Sequence, residues 1–235
     1  MKQSNIENDA VKVIEAVEGG GVAIVPLDVA YAIIGNSENA VRRIFGAKNR
    51  SFNKPSGMIS NWQLFNEVQI CSQLERDIVD CIINTHNLPM STVAPFHRDH
   101  PLFDQVDPFV IDHSSKSGTI DMLLNAGKFH DELVNIAMDR QLPLFGSSAN
   151  TSLQGSKYKL ENIETPVRDA ADISIDHGTS KYANSDGRSS SIIDLRDFKT
   201  IRVGVCYDEI ANILLERFDI NLIKNGLAGE RADMG

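Results

Sequence analysis

The chain has few cysteines and no long apolar run. Its three cysteines, Cys71, Cys81 and Cys206, include no CxxC pair, so the sequence indicates neither a disulfide framework nor a thiolate zinc site. No apolar stretch approaches the ~20 residues of a membrane span. The first ten residues lack the cationic and apolar pattern of a secretory signal. We therefore expect a cytoplasmic protein without membrane contact.

Positive charge is also scarce. The 235 residues include 23 Lys and Arg against 32 Asp and Glu, which gives a net charge of −9. A chain that acidic lacks the overall electrostatic signature of a bulk nucleic-acid binder, although a local basic pocket is compatible with it. The hydrophobic fraction of 42% is that of an ordinary globular protein with one sizeable core or two small ones.

The apolar pattern predicts alternating helices and strands. Helical spacing covers residues 6–17, 37–47, 72–84, 127–140 and 207–218. Strand-like runs cover residues 22–26, 109–111, 119–124, 142–145, 172–175, 191–195 and 200–203, and the Pro- and His-rich stretch 88–113 is the least regular part. This order predicts an α/β domain over residues 1–206, followed by a C-terminal helix and a frayed tail over residues 207–235.

The densest basic cluster is the segment AKNRSFNKP, which places Lys48, Arg50 and Lys54 within seven residues. Cations that close repel one another, so a bound polyanion such as triphosphate or carbonate would stabilise them. The alternative is a solvated helix end, where cations complement the helix dipole.

Several loops carry hydroxyl, amide or acidic groups next to predicted strands. FGSSANTS and GRSSSIIDL present backbone amides and small polar side chains that can bind phosphate or ribose, or that can simply cap the next element. PLDVAY places Asp28 and Tyr31 just after a strand, where binding residues often lie, although Asp28 can equally cap a turn. The histidines near His97 lack metal-ligand spacing, so no protein-bound metal is predicted.

Four motifs in order resemble the YrdC-like family of threonylcarbamoyl-adenylate synthases. They are GGGVAIVPLDVAYAI, IFGAKNRSFNKP, LFGSSANTS, and SSSIIDL followed by IRVG, and they span roughly residues 19–205. The resemblance implies a twisted, mostly mixed β-sheet curled around a deep central cavity with flanking helices. It also implies condensation of bicarbonate, threonine and ATP, with Mg²⁺ accompanying the triphosphate, to an adenylate used in transfer-RNA modification.

The resemblance also implies roles for individual residues. Lys48 and Arg50 would be catalytic and would hold the triphosphate and the carbonate-derived group. The nucleotide and phosphate side would comprise Lys48, Arg50, Lys54, Thr92, Ser148, Asn150, Ser190 and Arg202. The acceptor side would comprise Asp28, Tyr31, Leu27 and Val29.

The chain departs from the family mainly on the acceptor side. Leu27 and Val29 replace two threonines, and the segment TIDMLLNAG lacks the family's arginine. A threonine carboxylate would lack its guanidinium partner there, at a cost of roughly 2–5 kcal/mol. The leading hypothesis is therefore an enzyme that forms or handles a carbamoyl- or acyl-adenylate with another acceptor. The alternatives are a non-catalytic nucleotide- or RNA-binding paralogue, and a true threonylcarbamoyl-adenylate synthase with a rearranged pocket.

Overall fold

The computed structural model describes residues 3–224, in which helices and strands alternate. The helices are α1 (Gln3–Glu18), α2 (Glu38–Ala47), α3 (Trp62–Val68), α4 (Gln73–Asp80), α5 (Pro108–Asp112), α6 (Lys128–Asp139), α7 (Thr165–Asp169) and α8 (Tyr207–Phe218). The strands are β1 (Ala23–Pro26), β2 (Tyr31–Gly35), β3 (Gly57–Ile59), β4 (Met90–Pro95), β5 (Ser115–Lys116), β6 (Thr119–Leu124), β7 (Leu144–Ser148), β8 (Ile173–Ser174), β9 (Ile192–Asp194), β10 (Lys199–Arg202) and β11 (Ile223–Lys224). None of these helices is long and apolar enough to cross a membrane.

The strands form one mixed sheet. Their order is β11–β10–β9–β4–β6–β3–β7–β2–β1–β8, and β5 pairs with β6 outside that path. Pairs β1–β2, β2–β7, β3–β7, β4–β6, β5–β6 and β9–β10 are antiparallel, whereas β1–β8, β3–β6, β4–β9 and β10–β11 are parallel. The predicted fold class, an α/β protein with a mixed sheet and flanking helices, is confirmed.

The helices bury their apolar stripes against the sheet in separate clusters. In the largest cluster, α1 and α6 pack together over the central strands. In a second cluster, Tyr207, Ile210 and Leu214 of α8 pack with Phe65 and Ile78. Helix α8 therefore contributes to a core of the domain, and β11 adds a strand beyond it. The predicted frayed tail, residues 226–235, lies outside the described residues.

The predicted strand at residues 109–111 is wrong, because this segment is helical. Pro108 occupies the first turn of α5, and the Asp107 side chain accepts a hydrogen bond of 2.7 Å from the Phe109 amide. These are strong helix-start signals. Strand β4 lies inside the stretch predicted to be irregular. It escaped prediction because its polar Ser91 and Thr92 find their partners only within the folded protein.

Candidate functional site

Lys48 lies at the C-terminal end of α2 and is almost fully buried, with 1% of its surface exposed. Its Nζ donates hydrogen bonds to the carbonyl oxygens of Ser148 and of Asn150, the latter at 2.7 Å. Its own carbonyl accepts from the Ser152 amide at 2.8 Å. Burial, assisted by repulsion from Arg50, lowers the pKa of Lys48 to about 7. Lys48 therefore fastens the loop that follows β7.

Arg50 is half-buried two residues further on. Its Nε donates to the Lys54 carbonyl at 3.1 Å and its Nη2 to the Pro55 carbonyl at 2.6 Å. Burial and the nearby charge of Arg202 lower the pKa of Arg50, whereas Asp121 opposes that shift. The Lys54 side chain is exposed. Lys54 thus orients Arg50 through its backbone carbonyl, whereas its ammonium group makes no contribution to this contact.

Arg202 ends β10 and contacts Ser190, which precedes β9. Its Nη2 and Nε donate to the Ser190 carbonyl at 2.8 and 3.0 Å, and Nη2 also donates to the Ser190 hydroxyl at 3.0 Å. The Arg202 side chain is accessible to solvent, yet desolvation is the main cause that lowers its pKa. The guanidinium group of Arg202 also interacts electrostatically with Asp121 and with Arg50. We call Lys48, Arg50 and Arg202 the basic site.

Asp121 on β6 is a member of this neighbourhood that sequence reasoning missed. Its carboxyl group hydrogen-bonds Ser91 and interacts electrostatically with Arg202 and Arg50. Burial raises the pKa of Asp121, while those two guanidinium groups and the Ser91 hydrogen bond oppose the rise. A charged residue inside the otherwise apolar strand TIDMLL was the available signal, since such a residue needs a specific partner inside a sheet.

The end of β7 and the loop that follows it supply polar atoms. Among the residues that the structure describes, the Ser147 Oγ, Asn150 Oδ1 and Ser152 Oγ atoms are buried and have no hydrogen-bond partner. Buried polar groups are nearly always hydrogen-bonded, so these three atoms are candidates for ligand contacts. Ser148 is half-buried, and its carbonyl is occupied by Lys48.

Two predicted site residues face the protein interior instead. Thr92 is fully buried and its hydroxyl donates to the Gln69 side chain at 2.8 Å. The neighbouring Ser91, one residue earlier on β4, is the hydroxyl that reaches the site. Tyr31 is fully buried in the third apolar cluster, and its hydroxyl donates to Asp176 at 2.9 Å. The structure therefore brings neither Thr92 nor Tyr31 to the basic site.

Two of the remaining predicted acceptor residues, Leu27 and Asp28, line a cavity. Leu27 and Val29 are buried in the largest apolar cluster, whereas Asp28 is half-buried and burial raises the pKa of its carboxyl group. The cavity has a volume of about 360 Å³ and is lined by Ile6, Pro26, Leu27, Asp28, Lys128, Phe129, His177, Gly178, Thr179, Ser180 and Lys181. No residue of the basic site is among these lining residues.

Comparison with solved structures identifies proteins with the same fold. A hypothetical protein from Streptococcus mutans, smu.1377c, has a TM-score of 0.76 and 18% identity, with 90% of this chain and 92% of that chain covered. Sua5 of P. abyssi complexed with L-threonine has a TM-score of 0.66 and 20% identity, covering 87% of this chain and only 55% of that chain. E. coli YciO has a TM-score of 0.62 and 17% identity, with 85% and 90% covered.

At these low sequence identities, the structural similarity shows a common fold and does not show a common function. The search of curated proteins found no match. The family model of Sua5, YciO and YrdC proteins, described as telomere recombination, matches residues 15–204. That match covers most of the chain and includes Lys48, Arg50, Asp121, Ser190 and Arg202. The chain therefore belongs to the Sua5/YciO/YrdC family.

Proposed function

We propose that this protein uses ATP, with Mg²⁺, to form or handle a carbamoyl- or acyl-adenylate whose acceptor is not threonine. The observation that carries the proposal is the pair of guanidinium groups of Arg50 and Arg202. Burial lowers the pKa of Arg50, and the positive charge of the nearby Arg202 lowers it further. The chain belongs to the Sua5/YciO/YrdC family, and its motifs resemble those of threonylcarbamoyl-adenylate synthases. Both observations support adenylate chemistry.

Two close cations cost free energy unless an anion lies between them. A phosphate group accepts charge-assisted hydrogen bonds from both guanidinium groups and relieves the repulsion. In adenylate formation, an oxygen of the carbamate or carboxylate attacks the α-phosphorus and pyrophosphate leaves. The developing negative charge needs positioned cations more than it needs a general base. Each of Arg50 and Arg202 uses some of its N–H groups to bind backbone carbonyls. Their remaining N–H groups can donate to the negatively charged phosphate oxygens.

We assign the end of β7 and the loop that follows it to the nucleotide. Within the described part of the chain, the Ser147 Oγ and Asn150 Oδ1 atoms are buried without a hydrogen-bond partner. The hydroxyl can donate to a phosphate or ribose oxygen, and the amide oxygen can accept from a ribose hydroxyl. Lys48 holds this loop in place through two carbonyl contacts. We therefore assign Lys48 a positioning role, and Arg50 and Arg202 the contact with phosphate.

The acceptor side supports a substrate other than threonine. Leu27 and Val29 are buried among apolar residues, and the Tyr31 hydroxyl is already bonded to Asp176 and Gly178. These groups offer neither the hydroxyl contacts nor the carboxylate partner that a threonine site needs. We propose bicarbonate or a carbamoyl donor as the second substrate, and an amino acid or another nucleophile as the acceptor.

One assay tests the proposal. The protein is incubated with ATP, Mg²⁺, bicarbonate and a panel of amino acids, and pyrophosphate and adenylates are measured by mass spectrometry. Turnover with an acceptor other than threonine, lost in the double variant Arg50→Ala/Arg202→Ala, supports it. Turnover with threonine would instead identify a true threonylcarbamoyl-adenylate synthase. Nucleotide binding without turnover would identify a binding paralogue.

A further inference from the structure

We propose that the cavity lined by Leu27 and Asp28 is a binding site for a small organic carboxylate that carries an apolar chain. Its volume of about 360 Å³ lies at the lower end of the range for small-molecule sites, roughly 300–1,000 Å³. No residue of the basic site lines it. Carboxylate binding in this cavity is therefore independent of the proposed nucleotide chemistry.

One wall of the cavity is the N-terminal end of α6, a helix of 12 residues. Lys128 and Phe129 of its first turn line the cavity. The preceding residue, Gly127, has no side chain, so no N-cap side chain accepts from the amide groups of this turn. Free amides at a helix start, together with the helix dipole, favour a bound anion. The ammonium group of Lys128 adds positive charge at the same end of the helix.

The opposite wall is the loop of residues 177–181. The Ser180 side chain lines the cavity with only 8% of its surface exposed, and its Oγ atom has no hydrogen-bond partner among the described residues. Because buried hydroxyls are nearly always hydrogen-bonded, this one is suited to donate to a carboxylate oxygen of a ligand. Lys181 follows with a second ammonium group. None of the ion pairs in the described part of the chain includes Lys128 or Lys181.

Hydrogen bonds of the protein hold the two walls in place. The Asp28 amide donates to the Ala126 carbonyl beside α6 at 2.8 Å, and the Asp28 carbonyl accepts from the Tyr182 amide beside the loop at 2.9 Å. The Tyr31 hydroxyl donates to the Gly178 carbonyl at 2.8 Å and so fixes the loop from behind. Binding therefore requires little further ordering of the chain, which favours affinity for a small ligand.

The lining also defines the chemistry of the ligand. Lys128 and Lys181 oppose the single carboxyl group of Asp28, while His177 hydrogen-bonds Asp9 at 3.2 Å. The excess of positive charge attracts an anion. The rest of the lining includes the apolar side chains of Ile6, Pro26, Leu27 and Phe129. This apolar wall favours an organic anion over an inorganic one, and the short polar side chain of threonine would leave it uncovered.

Two sources share this chemistry, a simple acid and an α-amino acid whose ammonium group contacts Asp28. Calorimetry at pH 7 without nucleotide compares three ligands with the same branched chain: 4-methylpentanoate, leucine and isoamylamine. At least one of the two carboxylates should bind with a Kd below about 1 mM, and isoamylamine at least about 10-fold more weakly. Tighter binding of leucine identifies an amino acid, and Asp28→Asn should then remove its advantage. Tighter binding of 4-methylpentanoate identifies a simple acid. Binding of the amine alone, or of neither carboxylate, would overturn the proposal.

Variants locate the bound carboxylate. Ser180→Ala and Lys128→Met should each weaken it by about 3- to 10-fold. The Tm of Ser180→Ala should stay within about 2 °C of wild type, because the lost hydroxyl has no partner in the described part of the protein. Lys116→Met is the matched control, since this exposed lysine does not line the cavity, and its affinity should stay within about 2-fold of wild type.

The double variant Arg50→Ala/Arg202→Ala separates this site from the basic site. It should bind the carboxylate as tightly as wild type. If it loses carboxylate binding while Ser180→Ala and Lys128→Met retain it, the carboxylate binds at the basic site and the proposal is wrong. A protein that binds the carboxylate but no nucleotide disproves the proposed function alone. A protein that binds nucleotide but no carboxylate disproves the cavity assignment alone.

Discussion

Arg202 is bound to Ser190 by three hydrogen bonds, two to its carbonyl oxygen and one to its hydroxyl, at 2.8–3.0 Å. The two residues belong to different sequence motifs, twelve positions apart. Their contact joins the end of β10 to a residue two positions before β9, and the guanidinium group interacts electrostatically with Arg50 and Asp121. The hydroxyl of Ser190, one of the predicted phosphate ligands, is thereby used to orient an arginine.

The contact predicts different effects for its two members. Arg202→Ala should weaken AMP binding by about 10- to 100-fold, the usual loss for a charge-assisted contact of ~1.5–3 kcal/mol. Ser190→Ala should cost less, because Arg202 keeps both bonds to the backbone carbonyl. Calorimetry measures the AMP affinity of both variants. The matched control is Arg98→Ala, which breaks an exposed ion pair with Asp112. If Arg202→Ala binds AMP as tightly as wild type, Arg202 is not part of the binding site.

Arg50 and Lys54 should also differ, although the sequence places both in one basic cluster. Arg50→Ala should weaken ATP binding by ~1.5–3 kcal/mol, because its guanidinium group is half-buried and fixed by two carbonyls. Lys54→Ala should change the affinity by less than about 0.5 kcal/mol, because its ammonium group is exposed. The opposite order of effects would show that Lys54 binds the phosphates.

Lys48 should make the stability of the protein depend on pH. Its pKa is about 7 in the folded state, against 10.5 for an ordinary lysine. The unfolded state therefore binds more protons between these values, and stability rises with pH there. The free energy of unfolding of wild type should rise relative to Lys48→Met by up to about 1.4 kcal/mol per pH unit between pH 7 and 9.

Urea unfolding at pH 7, 8 and 9 measures this difference. Cys71, whose pKa is raised to about 11 by burial, destabilises the folded state as pH rises above its ordinary value. Both proteins contain Cys71, so its contribution cancels in the comparison. A constant difference between wild type and Lys48→Met over this pH range would mean that Lys48 stays protonated in its buried position.

Gly204 should tolerate no side chain. A Cβ at this position would lie 2.3 Å from the Ser189 carbonyl oxygen and from backbone atoms of Ser190 and Ser191. Gly204→Ala should therefore destabilise the protein by at least about 2 kcal/mol and displace the segment that orients Arg202. Gly46→Ala is the control, since a Cβ there meets nothing within 4 Å and alanine should stabilise α2 by roughly 0.5–1 kcal/mol. Similar melting temperatures for the two variants would contradict the packing argument.

Threonine should not bind saturably below the millimolar range, even with ATP and bicarbonate present. The buried side chains of Leu27 and Val29 offer no hydrogen bond to a threonine hydroxyl, and a carboxylate without a guanidinium partner is poorly stabilised. The double variant Leu27→Thr/Val29→Thr should not restore binding, because it supplies hydroxyls and no cation. Isothermal titration with threonine tests both proteins. Synthesis of threonylcarbamoyl-adenylate at about 1 s⁻¹ or faster by wild type would refute this specificity argument.

The sequence by itself determined the fold class, most of the helices and the family. Helices α1, α2, α6 and α8 follow from apolar periodicity, and Ser37 caps α2 as an N-terminal serine should. The order of the four motifs identified the family, because each motif can be recognised from the local sequence alone. Strand β4 was missed by the sequence analysis, and a strand was predicted where helix α5 lies. Such short segments depend on strand pairing and helix capping more than on apolar periodicity.

Only the tertiary structure decided which of these polar groups meet. In a strand, neighbouring side chains point to opposite faces, so a shift of one residue exchanges Ser91, which reaches the site, for Thr92, which binds Gln69 in the core. Asp121 joins the two arginines because β6 lies between β4 and β3 in the sheet, an order that no local pattern encodes. The sequence therefore determines the chemical groups, whereas strand register and sheet order determine which charges face each other.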